Sequence, residues 1–333
     1  MEYNLKNMKI LVTGAAGFIG FHLSRMLCEA GAEVVGADKI NDYYEVSLKE
    51  DRLAELEKYP NFSFVRADIA SQDEVEALFE RCRYDRVVNL AAQAGVRHSV
   101  EVPRDYADAN LMGFFNILDA SRRHKVAHLI YASSSSVYGN QQKTPFSVTD
   151  NTGYPISFYA ATKKANELMA HSYTHIYGIP TTGVRFFTVY GPYGRPDMAY
   201  FNFTRTILDG EPIKVFNHGD MLRDFTYVDD IVRGLCAMIA AEPEAKAKIY
   251  NIGNNKPVKL GDFINTVERT LSKKLGREIN VEREYLPMQQ GDVYQTWADI
   301  DDLQRDFGFS PDTTIEEGIE RFIEWYVDYY NVK

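Results

Sequence analysis

Two side chains of one predicted helix have the types and the spacing that proton transfer requires. Tyr159 and Lys163 are four residues apart, so a helix places both on one face, one turn apart. A free tyrosine has a pKa of about 10, and a nearby ammonium group favours its ionised form. Ser134 follows a short apolar run that ends a predicted strand. We predict that these three residues remove or return the proton of an alcohol while a hydride moves to a cofactor.

Three glycines mark the first predicted strand-to-helix turn. Residues 8–13 are β-rich, Gly14, Gly17 and Gly20 follow at once, and the next apolar residues have helical spacing. Such glycines let the backbone approach a pyrophosphate, and the amino terminus of the helix favours that anion. We predict that Phe18 and Ile19, which lie between the second and third glycines, line the same binding site.

An acidic residue ends the second predicted strand, which covers residues 32–37. Asp38 can accept hydrogen bonds from both hydroxyls of a ribose and repels a 2′-phosphate, so the predicted cofactor is NAD. Lys39 argues weakly against this choice of cofactor, because a lysine at that position suits a 2′-phosphate. We interpret Lys39 as a solvated charge.

The alternation of strand and helix patterns continues along the chain. Residues 62–67 and 86–93 are the third and fourth predicted strands, and small residues in the fourth allow the backbone to lie close to a cofactor. This alternation indicates a parallel sheet that is covered on both faces and binds ligands at its carboxyl edge. The further cofactor contacts predicted there are Asp68, Ile69, Leu90, Ala91, Ala92 and Gln93.

The predicted fold class is α/β, a Rossmann-type doubly wound parallel sheet with a smaller mixed α/β lobe at the carboxyl end. Residues 102–123 are predicted as one long helix, and residues 181–187 as a core strand. The turn-rich segment 191–197 then ends the regular alternation. We therefore predict an NAD-binding domain over residues 1–190 and a substrate-binding lobe over 191–333, with some strands and helices of the lobe returning to the first domain.

Composition narrows the possible partners. The chain has 333 residues, of which 45% are hydrophobic and 25% charged, and a net charge of −10 argues against nucleic acid or an anionic membrane. Cys28, Cys82 and Cys236 are an odd number of widely spaced cysteines, which predicts reduced thiols and a cytoplasmic protein. The polar first residues predict no signal peptide, and no apolar run approaches the length of about 20 that spans a bilayer.

Taken together, these residues resemble the extended short-chain dehydrogenase/reductase family, which contains nucleotide-sugar epimerases and dehydratases. The resemblance covers essentially the whole chain, and its marks include the Gly-x-x-Gly-x-x-Gly spacing, the Tyr-x-x-x-Lys pair and the serine tract. It implies that the carboxyl-terminal lobe binds a nucleotide sugar. It also implies that Tyr159 is the base, that Lys163 lowers its pKa and holds the nicotinamide ribose, and that Ser134 passes the proton.

Longer stretches at residues 94–97, 191–199 and 216–226 resemble those of UDP-glucuronate 4-epimerases within that family. Ser135 and Ser136 stand where related dehydratases have Asp-Glu and where related decarboxylases have a glutamate. Because neither position offers a carboxylate, the resemblance implies epimerisation of UDP-glucuronate to UDP-galacturonate through a transient 4-keto sugar, with NAD unchanged overall.

The same resemblance implies a set of substrate contacts. Arg195, helped by Thr188, holds the sugar carboxylate away from the orientation in which a β-keto acid loses carbon dioxide. Arg223 is the candidate for the diphosphate. Residues 288–292 lack the arginine that binds phosphate before Gly-Asp in UDP-galactose epimerases, so that contact is absent or neutral here. The other expected contacts are Arg97, Ser134, Ser135, Ser136 and Asp292.

Several alternatives stay open at this stage. The chain could act on a neutral UDP-hexose or UDP-N-acetylhexosamine, or it could be a non-catalytic NAD-binding protein of the same fold. His171 and His175 have the spacing of a zinc pair but no evident third ligand, so no metal is predicted. The helix over 102–123 and the helix that carries Tyr159 suit either an internal core or a homodimer face, and the expected assembly is a homodimer.

Overall fold

The computed structural model describes residues 5–288 and 292–332, and its centre is a sheet of seven parallel strands. The spatial order of this sheet is β11-β6-β5-β4-β1-β2-β3, so the chain winds outward in both directions from β1, which confirms the predicted fold class. The strands are β1 (Lys9–Thr13), β2 (Glu33–Asp38), β3 (Phe62–Arg66), β4 (Arg86–Asn89), β5 (His128–Ser134), β6 (Thr181–Phe186), β7 (Thr188–Tyr190), β8 (Ile213–Phe216), β9 (Leu222–Arg223), β10 (Phe225–Tyr227), β11 (Ala247–Ile252), β12 (Val258–Lys259) and β13 (Arg283–Leu286).

Helices connect these strands and cover the sheet. Among the described residues, no helix combines the length and the apolar character that crossing a membrane requires. The α-helices are α1 (Phe18–Glu29), α2 (Val46–Leu56), α3 (Gln72–Glu80), α4 (His98–Glu101), α5 (Pro103–Tyr106), α6 (Gly113–Arg123), α7 (Phe158–Tyr177), α8 (Ala199–Leu208), α9 (Val228–Ala240), α10 (Leu260–Leu275), α11 (Asp301–Phe307) and α12 (Ile315–Tyr329).

Two hydrophobic cores lie on opposite faces of the sheet. Successive side chains of a strand point to opposite faces. Accordingly, Ile10 and Val12 of β1 belong to one core, whereas Leu11 between them belongs to the other. The first core contains apolar residues of α1, α9 and α12, and the second contains those of α3 and α6. Burial on both faces explains why these strands read as nearly continuous apolar runs.

Two predicted elements differ from the structure at the edge of the sheet. The segment predicted as one helix over 102–123 consists of α5, a π-helix at Ala107–Met112 and α6. The strand predicted over 86–93 ends at Asn89, since the backbone N–H groups that follow donate to side chains. Ala91 N–H donates to Thr13 Oγ1 and Gln93 N–H to Asn110 Oδ1, at 3.3 and 2.8 Å.

The carboxyl-terminal part of the chain contributes to two places. β11 pairs with β6 as the edge strand of the central sheet. Outside that sheet, β7 pairs with β10 and β8 with β13 in parallel, and β9 pairs with β12 in the antiparallel direction. The β7–β10 pair lies next to the carboxyl end of β6, because β7 follows β6 after a single residue.

Candidate active site

A cleft at the carboxyl edge of the sheet brings most of the predicted site residues together. Six predicted substrate contacts lie outside its described wall, namely Arg97, Ser135, Ser136, Thr188, Arg223 and Asp292. The predicted residues that do line the cleft are Gly14, Gly17, Phe18, Ile19, Gly20, Asp38, Asp68, Ile69, Leu90, Ala91, Ala92, Gln93, Ser134, Tyr159, Lys163 and Arg195.

The glycine turn is packed so tightly that side chains are excluded from it. Gly14 has a φ of 75°, and a Cβ added there would lie 2.7 Å from the backbone nitrogen of Ala91. Gly20 lies inside the first turns of α1, where an added Cβ would lie 2.0 Å from the carbonyl oxygen of Gly14. The missing side chains leave bare backbone along this part of the cleft, which fits a pyrophosphate.

The acidic residue at the end of β2 is partly buried beside that turn. Asp38 accepts hydrogen bonds from the backbone N–H groups of Ala16 and Ile40, at 3.2 and 2.8 Å, and burial raises its pKa. Lys39 forms an ion pair with Asp68 at 3.3 Å, so its charge is directed to a neighbouring carboxylate. A carboxylate next to a glycine turn fits the ribose of an adenine dinucleotide that has no 2′-phosphate.

The tyrosine and the lysine lie on one face of α7, as their spacing predicts, and both line the cleft. The helix begins after Ser157, whose side chain accepts a hydrogen bond from Ala160 N–H at 3.1 Å. Lys163 Nζ donates to the carbonyl oxygen of Ala132 at 3.0 Å and lies 5.9 Å from the ring centre of Tyr159. Burial lowers the pKa of Lys163 to about 8.

The phenol of Tyr159 is partly buried, and burial raises its pKa. Two neighbours oppose this shift, namely the positive charge of Arg195 and a hydrogen bond with Ser134. The nearby cation that favours the phenolate here is thus Arg195. That Lys163 lowers the pKa of this tyrosine stays a prediction.

The serine tract presents one hydroxyl to the cleft. Ser134 Oγ accepts hydrogen bonds from the N–H and the hydroxyl of Ser136, at 3.2 and 2.9 Å. With its oxygen occupied in this way, Ser134 keeps its own proton for donation. Ser135 and Ser136 form a short 3-10 helix after β5, and Ser133 points away to donate to Glu167 Oε1 at 2.7 Å.

Three predicted substrate contacts form a separate cluster. Arg97 and Arg223 each donate to one oxygen of Asp292, at 3.2 and 3.3 Å, and none of these residues is part of the cleft wall. The cluster brings β9 together with the segment before α4, two parts of the chain that sequence reasoning could not connect. Gln289 and Gln290, which replace the expected arginine, lie outside the described residues.

Sequence reasoning missed a buried amide that supports the cleft. Asn110, in the π-helix, accepts from Gln93 N–H at 2.8 Å and donates to the carbonyl oxygen of Gln93 at 3.0 Å. Its own carbonyl oxygen accepts from Asn166 Nδ2 of α7 at 2.7 Å. Asn110 therefore connects the end of β4 to α7, and the only signal for it was a polar residue within an apolar helical pattern.

Known proteins resemble the chain over nearly its whole length. The model of the NAD dependent epimerase/dehydratase family matches residues 10–253. Protein CapI of Staphylococcus aureus is 52% identical over 97% of this chain and 99% of its own. UDP-glucuronate 4-epimerase 2 of Arabidopsis thaliana is 46% identical over 97% of this chain and 76% of its own.

A solved structure agrees in fold. UDP-glucuronic acid 4-epimerase from Bacillus cereus, in complex with UDP-glucuronic acid and NAD, has a TM-score of 0.88 and 34% identity. The match covers 97% of this chain and 100% of that one. The chain belongs to the NAD dependent epimerase/dehydratase family.

Proposed function

We propose that this protein is an isomerase that converts UDP-glucuronate to UDP-galacturonate with NAD, through a transient 4-keto sugar. The observation that carries the proposal is the meeting of Tyr159, Lys163 and Arg195 in the cleft that also contains Gly14 and Asp38. The plant relative's name and the ligands of the Bacillus cereus structure support the same substrate and cofactor.

The dinucleotide is assigned to the glycine turn and the strand ends around it. Gly14 and Gly17 take the pyrophosphate and Asp38 takes the adenosine ribose, while Asp68 and Ile69 lie toward the adenine. When bound, the nicotinamide supplies a site that accepts a hydride and returns it. The remaining assigned contacts on this side of the cleft are Phe18, Ile19, Gly20, Leu90, Ala91, Ala92 and Gln93.

The protein side of the reaction is proton transfer at the sugar 4-hydroxyl. Tyr159, as phenolate, takes the proton of that hydroxyl and later returns it to the same oxygen. Ser134 donates a hydrogen bond to the reacting oxygen and can relay the proton between that oxygen and the phenolate. Lys163 contributes positive charge and a donor for the nicotinamide ribose, and Arg195 adds a second positive charge that favours the phenolate.

Epimerisation requires the sugar to turn while the nucleotide stays bound, so that carbon 4 takes the hydride back on its other face. We assign the UDP part to Arg97, Arg223 and Asp292, where the phosphates compete with one carboxylate for two arginines. The sugar carboxylate is assigned to Arg195 and Thr188, with Ser135 and Ser136 close to the reacting end. These assignments follow the family resemblance described above.

The proposal is tested by mixing the purified protein with UDP-glucuronate and separating the products by chromatography. We expect UDP-galacturonate, and we expect Tyr159→Phe to lower the turnover number about 100-fold or more. Tyr154→Phe, which alters an exposed ring, is the matched control and should keep the wild-type rate. Epimerisation of UDP-glucose but not of UDP-glucuronate would overturn the substrate assignment. NAD binding without turnover of either sugar would indicate a non-catalytic protein.

A homodimer is part of the proposal. Large apolar side chains are exposed on two neighbouring helical segments. They are Met112, just before α6, Phe115 in α6, and Leu168, Ile176 and Tyr177 in α7. Exposed apolar side chains of this size on adjacent helices favour burial against a second copy of the chain. Light scattering should give the mass of a dimer, and Leu168→Glu combined with Ile176→Glu should give the mass of a monomer.

The cell compartment and the division of the chain are also proposals. All three cysteines are free thiols, which suits the reducing cytoplasm, and burial raises the pKa of Cys28 and Cys236 to about 12.

We divide the chain into an NAD-binding domain over 1–190 and a nucleotide-sugar lobe over 191–333, with β11 assigned to the first domain. The uronic sugar product would serve polysaccharide biosynthesis.

A further inference from the structure

The arginine assigned to the sugar carboxylate already holds a carboxylate of the protein. Arg195 Nε and Nη2 donate to the two oxygens of Asp197, at 3.0 and 2.5 Å. This bidentate pair occupies one side of the guanidinium group. The Nη1 group forms no ion pair with any carboxylate in residues 5–288 and 292–332, so this end of the guanidinium group remains available to a second carboxylate.

Asp197 is in turn fixed by a residue from the cofactor side of the cleft. Tyr43, in the loop after β2, donates its hydroxyl proton to Asp197 Oδ2 at 3.2 Å. Burial and the charge of Asp197 raise the pKa of Tyr43 to about 12, so the hydroxyl remains a donor at neutral pH. The guanidinium carbon of Arg195 lies 5.9 Å from the ring centre of Tyr43.

The position of Tyr43 is itself closely determined. Its ring lies against that of His98, with ring centres 4.8 Å apart. A Cβ added at Gly95 would lie 2.6 Å from the Tyr43 hydroxyl oxygen, so only glycine leaves room for it there. Tyr43, Asp197 and Arg195 therefore form a chain of contacts that starts at a rigid part of the cofactor side.

An acidic neighbour lowers the affinity of an arginine for a second anion, because the two carboxylates repel each other. Affinity alone would thus favour a neutral residue at position 197. What the bidentate pair does provide is direction, since it fixes the plane of the guanidinium group. A 4-keto uronic acid requires a fixed orientation of its carboxylate, because that orientation determines how readily it loses carbon dioxide.

We propose that Asp197, held by Tyr43, is a positioning residue that aims the free end of Arg195 at the carboxylate of the acidic sugar and thereby suppresses loss of carbon dioxide. The inference rests on the proposed function and deepens it. Arg195 touches the substrate, whereas Asp197 and Tyr43 act only through Arg195.

The side reaction that is suppressed has a definite course. In the 4-keto sugar, the bond between carbons 5 and 6 breaks and carbon dioxide leaves. The electron pair of that bond forms a double bond between carbons 4 and 5, and the carbonyl oxygen becomes an enolate oxygen. A proton from water then adds to carbon 5 and gives a UDP-4-keto-pentose. The step is fast only when the breaking bond stands perpendicular to the carbonyl plane, which a fixed carboxylate prevents.

The test compares Asp197→Ala and Tyr43→Phe with the wild type, using UDP-glucuronate and counting in one chromatogram UDP-galacturonate and the decarboxylated products, namely the UDP-4-keto-pentose and the UDP-pentose that the returned hydride forms from it. We expect Asp197→Ala to raise the pentose share of the products about tenfold, and Tyr43→Phe to raise it less, because only one hydrogen bond is lost. Asp302→Ala, which removes a distant exposed partner of Arg305, should match the wild type.

The product ratio separates positioning from a general structural effect. A structural defect lowers the rates of both products together and lowers the melting temperature, whereas misdirection of Arg195 changes the ratio. If Asp197→Ala misfolds, Tyr43→Phe alone decides the question. If the wild type is active and both variants keep its product ratio, this inference alone is overturned. If the wild type is inert toward UDP-glucuronate, the proposed function is overturned and the inference with it.

Discussion

Arg52 Nη2, on α2, lies 2.6 Å from the backbone carbonyl oxygen of Tyr193, two residues before Arg195. Nη1 of the same side chain donates to the carbonyl oxygen of Ala16 in the glycine turn, at 2.9 Å. Arg52 is fully buried, and among the residues that the structure describes its hydrogen bonds go to carbonyl oxygens and the Tyr44 hydroxyl rather than to a carboxylate. One buried cation thus connects the cofactor turn to the loop that carries the substrate arginine.

Replacing Arg52 with Met should destabilise the protein by about 2–4 kcal/mol, because buried carbonyl oxygens of two loops lose their donors. Chemical denaturation measures this free energy of unfolding. An ammonium group cannot reproduce the planar fork of a guanidinium group, so Arg52→Lys should recover only part of the loss. Arg305→Met, at an exposed position, is the control and should have no measurable effect. A wild-type midpoint for Arg52→Met would show that the two loops are held independently.

His22 of α1 holds the same loop one residue earlier. Its Nε2 lies 2.9 Å from the carbonyl oxygen of Pro192, and burial together with Arg25 lowers its pKa to about 3. The folded protein therefore keeps this imidazole neutral, whereas the unfolded chain takes up a proton below pH 6.5. Stability should fall as the pH drops below this value, by up to about 2 kcal/mol at a pH of about 5.

The measurement is the free energy of unfolding across that pH range for the wild type and for His22→Gln. The variant should show a weaker pH dependence, since glutamine does not titrate. His171→Gln, at an exposed position, should follow the wild-type curve. Equal slopes for His22→Gln and the wild type would contradict the prediction.

A buried ion pair fixes α7 to the sheet behind the site. Glu167 accepts from Nε and Nη2 of Arg185, in β6, at 2.8 and 2.9 Å, and both side chains are almost fully buried. Removing Glu167 leaves the Arg185 guanidinium group without a carboxylate in the interior, so Glu167→Met should cost about 3–5 kcal/mol. Arg185→Met should cost less, because Lys164 also forms an ion pair with Glu167, at 3.1 Å.

The double variant Glu167→Met with Arg185→Met should be more stable than either single variant, because it leaves no unpaired charge in the interior. Thermal unfolding of the four proteins gives the comparison. A double variant whose loss equals the sum of the two single losses would indicate that the residues do not act as a pair.

Asp38 should determine the choice between NAD and its 2′-phosphorylated form. The wild type is expected to bind NAD at least about tenfold more tightly than NADP, since the Asp38 carboxylate beside the glycine turn repels the extra phosphate. Asp38→Ser should reduce that ratio, and Asp42→Ser, an equal change of charge at an exposed position of the next loop, should not. Calorimetric titration of each protein with both dinucleotides measures the ratio, and an unchanged ratio in Asp38→Ser would contradict this role.

Local patterns in the chain predicted the fold and the side of the sheet on which the site lies. Gly14, Gly17 and Asp38 could be predicted because they lie at or just after strand ends, and parallel strands end at a common edge. Tyr159 and Lys163 are readable because the helical repeat places both on one face. These features depend on neighbours within a few residues, and such neighbours are fixed by the order of the chain.

The supports of the site could not be predicted in this way. Arg52 bonds to residue 193, which is 141 positions away, and Glu167 bonds to a residue of the next strand. Likewise, no periodicity distinguishes Asn110, in a π-helix, from the apolar residues around it. An internal cation, carboxylate or amide is stable only beside partners that satisfy its hydrogen bonds, and those partners are chosen by the tertiary packing. The sequence by itself determined which groups could react, whereas the tertiary structure decided which buried polar groups hold them in place.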